Sequence, residues 1–379
     1  MIKLLLIAHL NDLSGANKSL VDLSIGIKKI FNLTVCIPRK GALSDELDRL
    51  GINYVVVPSA AWVYKRDERA LKKVVKHIIN FFGEIRYYYY FKKYKPDIIH
   101  FNSSIYGCGS KAAYRLGIPY SWHIRELPEE NFNLTFFNKH KSIDAISKSK
   151  SIITISMFMK SKLENVFEKN RIKVVYNGVQ SIHSPTTTIF EDEYEIKALV
   201  LIGAIAEDKG QIDAIKAIRH LANNGYRIPL QIVGGITDRR YYEQLKTEIT
   251  DEIRDLITFT GHQSDVEKYR KTKNIALICS KAEAFGRVTI EAMSYGQLII
   301  GADSGATPEI VKDGINGFLY KQGDYIDLAN KILEAYNCDC KKEISQNAIQ
   351  TVQNRFLIEK TICKVVDVFN QIIQIEGKA

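Results

Sequence analysis

The chain has 379 residues, 46% hydrophobic and 25% charged, an ordinary globular composition with material for two cores. No apolar run approaches the roughly 18–20 residues of a membrane-spanning helix. Its net charge of +10 is uneven: residues 1–182 hold 29 Lys+Arg against 15 Asp+Glu, while the remainder is slightly acidic, so the first half suits an anionic partner, either a membrane surface or a polyanion.

The opening "MIKLLLIAHL" is too short and lacks the cleavage-like end of a signal peptide, so it reads as a first strand. A helical stretch, "GANKSLVDLSIGIKKI" (15–30), follows, and then the runs "LTVCIP" (33–38), "NYVVVP" (53–58), "PDIIHFN" (96–102), "PYSWHI" (119–124), "SIITIS" (151–156) and "IKVVYNGV" (172–179). Short apolar strands separated by helical segments signal βαβ units and a parallel sheet. The polar "SPTTTIFEDEYE" (184–195) reads as a linker, after which the pattern restarts with "IKALVLIGAI" (196–205), "PLQIVGG" (229–235), "LITFTGH" (256–262), "IALICS" (275–280) and "LIIGAD" (298–303). The expected fold is α/β: two doubly wound, Rossmann-like parallel-sheet domains, 1–183 and 190–363, facing a cleft. Six scattered cysteines with no C-x-x-C pair speak against a disulfide scaffold or a zinc site and fit a reducing cytoplasm.

In such sheets ligands bind beyond the carboxyl ends of the strands, where loops meet helix N-termini. One such loop is "GAIAEDKG" (203–210), in which Lys209 precedes a helix. An ammonium there suits a phosphate and does little for folding, because cations are disfavoured at that end of the helix dipole. Another is "EAFGRVTIEAM" (283–293), where Gly286 turns the chain between Glu283 and Glu291. Carboxylates accept pairs of sugar hydroxyls, and nearby backbone N–H groups suit phosphate oxygens, so a nucleotide sugar is the fitting ligand. Spacing alone leaves open the alternatives of a solvated lysine and two surface glutamates near a helix start. His123, beside Arg125 and Glu126, is read as a cleft residue, against the alternative of a structural histidine.

"EAFGRVTIEAM" resembles the E-x7-E motif of the retaining glycosyltransferases of family 4, whose fold is GT-B. The resemblance continues in "HLNDLSGANKSL" (9–20), "SWHIRE" (121–126), "VVYNGV" (174–179), "GAIAEDKG" and "DSGATPEIVKDGINGFLY" (303–320), in the family's order and spacing. It implies that Glu283 binds hydroxyls of the transferred sugar, that Glu291 holds the ribose, and that Lys209 neutralises the diphosphate. It also implies that Phe285, Gly286, Arg287 and Val288 line the diphosphate and sugar, and that Gly203 belongs to the phosphate loop. Gly15 and Ala16 would let the first loop approach the phosphates, His123 would reach beside the sugar, and His262 would mark the base. The resemblance further has the tail, 364–379, completing the first domain. No metal and no cofactor is implied. One departure stands out: the family's arginine after the phosphate-loop glycine is Ala204 here, and Arg287 is the candidate to replace its charge.

Residues 61–95 hold ten Lys+Arg against three Asp+Glu, interleaved with ten aromatic residues. That composition describes an interfacial helix pair on an anionic bilayer. The alternative is a helix packing its aromatics on the sheet, and nucleic acid is set aside for want of a recognition motif. The expectation is a cytoplasmic glycosyltransferase, peripheral on the membrane, moving sugar from a nucleotide donor to a saccharide or lipid-linked acceptor in polysaccharide biosynthesis. A sugar-nucleotide epimerase and a non-catalytic nucleotide-sugar-binding protein are the rival readings.

Overall fold

The structure, a computed structural model, describes residues 1–13, 15–66, 68–132, 134–180, 196–272, 274–375 and 377. The expected linker at 184–195 lies outside them. The chain divides into two units, Met1–Gly178 with Ile358–Ala379, and Val179–Leu357.

The first unit is built on strands β1 (Lys3–Ile7), β2 (Asn32–Ile37), β3 (Tyr54–Val56), β5 (Ile98–Phe101), β6 (Tyr120–Ile124), β8 (Ser151–Thr154) and β9 (Ile172–Val174). They pair in the order β3-β2-β1-β5-β6-β8-β9, all parallel. Leu4, Leu5 and Leu6 are all buried, as expected of a strand covered on both faces. The order reverses between β1 and β5, which places the loops after these two strands at the topological switch point. A small antiparallel pair, β4 (Val63–Lys65) with β7 (Leu134–Phe136), lies apart from the main sheet.

The helix Ile358–Ile375 belongs to this first unit. Its Val365, Val368, Phe369, Ile372 and Ile373 recur at helical spacing and join the core of the sheet. The Phe369 ring lies edge-on to Phe31 and to His100, at 6.0 and 5.1 Å between centroids.

The second unit holds β10 (Leu199–Ile202), β11 (Leu230–Val233), β12 (Ile257–Gly261), β13 (Ile275–Ile278), β14 (Leu298–Ala302) and β15 (Phe318–Tyr320). Their order, β12-β11-β10-β13-β14-β15, is again parallel and doubly wound, with its switch point between β10 and β13.

Cys338 and Cys340 are joined by a disulfide across one residue, while Cys36, Cys108, Cys279 and Cys363 are thiols. The bridge closes too short a loop to act as a disulfide scaffold.

Candidate functional site

In the second unit the two loops of the switch point are 203–210 after β10 and 279–286 after β13. The first runs through a short 3-10 turn, Glu207–Lys209, into the helix Gln211–Asn223. Gly210 stands between them with φ 65°, and a Cβ there would lie 2.0 Å from the carbonyl oxygen of Cys279. Only glycine therefore lets the two loops close on each other. The Lys281 N–H donates to the Asp208 carbonyl at 2.9 Å, and the Lys281 ammonium pairs with Glu207 at 2.7 Å, which ties the loops together.

That closeness brings Lys209 and Glu283, 74 residues apart, into an ion pair of 3.1 Å. Their side chains are 30% and 22% exposed, so the pair is open to a ligand at one side. Burial pushes the Lys209 ammonium down, but the carboxylates of Glu283 and Asp208 outweigh it and hold the group above its ordinary value. Burial pushes the Glu283 carboxyl up, and the Lys209 charge with the Ser280 hydrogen bond outweighs that and holds it low. Both groups are therefore charged at neutral pH.

The helix Arg287–Ser294 begins after Gly286, whose φ of 100° lies in the left-handed region. The first N–H groups of any helix have no intrahelical partner, and the dipole there favours an anion. Phe285, just before the turn, is 3% exposed and packs edge-on against Phe356, so its ring serves the fold. Val288 is partly buried in the first helical turn, His262 is exposed after β12, and a Cβ at Gly203 would meet nothing within 4 Å.

Glu291 is held from two sides. Its Oε1 accepts from Arg287 Nε at 2.8 Å, and its Oε2 accepts from Arg270 Nη2. Arg287 Nε is thus engaged by Glu291, as Lys209 is by Glu283. For Arg287 the reason is local: residues four apart on a helix face each other, and this pair has the favourable signs. Arg270 is a partner that sequence reasoning missed. It lies in the buried end of the helix Glu267–Arg270, and its Nη1 is buried without a hydrogen-bond partner among the described residues. No motif marks it, because its pairing with Glu291 exists only once β13 and its neighbours have folded.

The first unit gathers a second polar cluster at its switch point. The helix Gly15–Ile27 starts there, and a Cβ at Gly15 would meet nothing within 4 Å. The Ala16 carbonyl accepts from Asn102 Nδ2 at 3.0 Å. Arg125 donates to Asn102 Oδ1 at 3.0 Å, to Asn177 Oδ1 at 2.7 Å and to His123 Nδ1 at 3.1 Å. Because guanidinium can only donate, His123 Nδ1 accepts, and the imidazole proton sits on Nε2. Glu126 Oε1 accepts from Ser103 Oγ, from the Ser104 N–H and from Ser104 Oγ, at 2.6 to 2.8 Å.

His123 itself is wholly buried, edge-on to His100 at 5.6 Å. The sequence reading has it in the cleft beside a sugar. The structure corrects that placement, because β6 is an interior strand between β5 and β8 and its side chains are covered. Burial, the Arg125 charge and His100 hold its imidazole well below the ordinary value, so it is neutral.

Among proteins with known families, the model described as Glycosyltransferase Family 4 matches residues 14–181, and that described as Glycosyl transferases group 1 matches residues 189–355. The chain belongs to the family 4 type of glycosyltransferases. An uncharacterized glycosyltransferase of Methanocaldococcus jannaschii is 27% identical over 60% of this chain and 61% of its own. The capsular polysaccharide biosynthesis glycosyltransferase CapM of Staphylococcus aureus is 24% identical over 54% of this chain and 57% of its own. The chain thus matches about three fifths of the length of these two relatives. The crystal structure of Anabaena HepE in complex with UDP and glucose superposes with a TM-score of 0.78, over 98% of this chain and 100% of that one. At 20% identity this is a likeness of fold, and the fold is GT-B: two Rossmann-like parallel-sheet units.

In this chain the basic aromatic stretch forms one continuous helix, Ala70–Tyr94, instead of a pair. Tyr87 and Phe91 are fully buried and belong to the core, while Trp62, partly buried, stacks on the buried Trp122 at 5.4 Å. Leu71, Val74, Val75, Ile78, Phe81, Phe82, Ile85 and Tyr89 are exposed instead, Leu71 to 74% and Tyr89 to 66%. At 3.6 residues per turn they fill one arc of about 120°. No described helix is long and apolar enough to cross a membrane.

Proposed function

We propose that the protein transfers a sugar, with retention at the anomeric carbon, from a nucleoside diphosphate sugar to a saccharide or lipid-linked saccharide in polysaccharide biosynthesis. The observation that carries this reading is the Lys209–Glu283 pair of 3.1 Å at the second unit's switch point, beside the helix that follows Gly286. A diphosphate oxygen can take the place of the carboxylate on Lys209, which leaves Glu283 to accept hydroxyls of the sugar. The ammonium and the helix N-terminus then stabilise charge developing on the leaving group, and the reading needs no metal or cofactor. Retention and a polysaccharide product rest on the family resemblance. The UDP and glucose bound by HepE and the capsular role in the name of CapM point the same way.

Incubation with UDP, GDP, ADP and dTDP sugars, with and without a lipid-linked saccharide, tests it. Transfer only when acceptor is present, with the donor's anomeric configuration kept in the product, is the expected result. Conversion of donor without acceptor would reveal an epimerase, and binding without turnover a non-catalytic protein. Within the site, Glu291→Gln should weaken nucleoside diphosphate binding about ten- to a hundred-fold, the worth of a charge-assisted hydrogen bond to ribose. Glu283→Gln should spare it. Calorimetry in which both variants bind as wild type does would reject the assignment.

The seat we propose for the enzyme is the cytoplasmic face of an anionic membrane, through the exposed arc of the helix Ala70–Tyr94. Lys76 is occupied by Glu68 at 2.8 Å, and Lys73 lies over the Tyr64 ring at 4.1 Å. The cations to remove are therefore Lys72, Arg86, Lys92 and Lys93, all exposed. Each contributes about 1 kcal/mol near such a surface, and the attraction is screened by salt. Changing all four to Gln should release the protein from anionic vesicles in a flotation assay. Flotation equal to wild type at low and high salt would show that they only solvate the helix.

A further inference from the structure

The first unit contains a cavity of about 930 Å³ that none of the site residues lines. It lies beside the helix Ala70–Tyr94, and its walls include Trp62, Phe81, Ile85, Tyr88, Tyr89 and Phe137. Its size falls within the ~300–1,000 Å³ of small-molecule sites. Lys111, Arg115 and Lys141 stand along another part of the lining, all exposed. The acids nearby are already engaged: Glu129 pairs with Lys139, and Asp144 pairs with Lys148 at 2.6 Å. Glu84 also faces the cavity, but its carboxylate accepts from the N–H groups of Gly109 and Ala112 at 2.9 and 3.3 Å. Burial raises its carboxyl above the ordinary range, against the opposing pull of those N–H groups and of Lys111 and Arg115. The cavity therefore joins an aromatic trough to three cations that make no salt bridge among the described residues.

Phe81, Ile85 and Tyr89 belong both to this wall and to the exposed arc of the helix. The trough thus continues the face that the helix offers to a bilayer, and an acyl or prenyl chain could enter it without crossing water. We propose that this cavity holds the hydrocarbon chain of a phosphate-linked lipid, the carrier of the saccharide acceptor, with Lys111, Arg115 and Lys141 gripping its phosphate. The carrier's identity rests on the transferase reading above; the lipid site does not. An ammonium or guanidinium beside a phosphate forms charge-assisted hydrogen bonds, and aromatic walls exclude water from the chain.

The test uses the full-length protein and 11-bromoundecyl phosphate below its micelle concentration. Bromine on the chain should quench Trp62, which lines the cavity. Saturable quenching is expected, with weaker binding of 11-bromoundecanol and no competition from inorganic phosphate at the same concentration. Lys111→Gln, Arg115→Gln and Lys141→Gln should each weaken binding of the alkyl phosphate about fivefold, since a cation beside an anionic headgroup is worth that much. These are exposed side chains, so the substitutions leave the core alone. Ala145→Phe should fill the trough and weaken the phosphate and the alcohol together. It should also impair transfer to a lipid-linked acceptor while sparing a short water-soluble one. Absence of quenching, competition by inorganic phosphate, or a triple Gln variant that binds as wild type does would overturn the proposal. A wild type that binds the alkyl phosphate but turns over no acceptor would strike the transferase reading and leave the lipid site standing.

Discussion

Lys209→Met is expected to lower kcat for sugar transfer by about 10²–10³-fold, the usual cost of removing one group that stabilises developing negative charge. The ammonium lies 3.1 Å from Glu283, at the position where a diphosphate would leave. No arginine follows the phosphate-loop glycine, because that position is Ala204, and Arg287 Nε donates to Glu291. Lys209→Arg should recover part of the loss, since it restores the charge with a different shape. The variant should stay folded, because both side chains of the pair keep contact with solvent. Steady-state kinetics with a saturating donor would decide it. A Met variant retaining more than about a tenth of wild-type kcat would place the leaving-group charge elsewhere, since one such donor is worth more than that.

The second large effect is on stability, and it runs with acid. His100 and His123 are wholly buried, and His9 nearly so. Burial first, and then the Arg125 charge, pushes His100 down to about 3 from the ordinary 6.5. Burial, Arg125 and His100 hold His123 well below that value. Burial also lowers His9, against the opposing pull of Glu126 and Asp12. In each case the folded state refuses a proton that the unfolded chain takes up below pH 6.5. Their contribution is therefore fully present above pH 6.5 and is lost as pH falls from there toward the folded values. One unfilled titration costs about 1.4 kcal/mol per pH unit, so His100 alone accounts for a loss on the order of 2 kcal/mol at pH 5, and His123 and His9 act in the same direction.

The readout is built in. The chain's two tryptophans, Trp62 and Trp122, both lie in the first unit, so their fluorescence follows that unit's unfolding. The denaturant midpoint should fall clearly between pH 7.5 and pH 5, and His100→Gln should flatten the slope. Equal midpoints at the two pH values would show that these imidazoles protonate in the folded state.

By itself the sequence determined the architecture. Runs such as "LLLI" (4–7) and "IALI" (275–278) are apolar throughout, and a strand of that kind is stable only when both its faces are covered, which demands a parallel sheet flanked by helices. The E-x7-E stretch was legible because its glycine turn and its two carboxylates are local. Three short strands were not: β15, β4 and β7 have three residues each and, unlike the equally short β3 and β9, do not stand out as separate apolar runs, so they form only where a neighbouring strand already offers its edge.

Tertiary structure decided the pairings and the faces. Lys209 meets Glu283 across 74 residues, and Arg270 meets Glu291 across 21, so no spacing rule could announce either contact. His123 reads in sequence as a cleft residue at a strand end, and only the flanking strands show that it is covered. The helix Ala70–Tyr94 carries aromatics on more than one side, and helical periodicity treats those sides alike. Packing against the first unit's sheet chose Tyr87 and Phe91 for the interior and left Phe81 and Tyr89 outside. Burial depends on what else is present at that place, and that information lies in the rest of the fold.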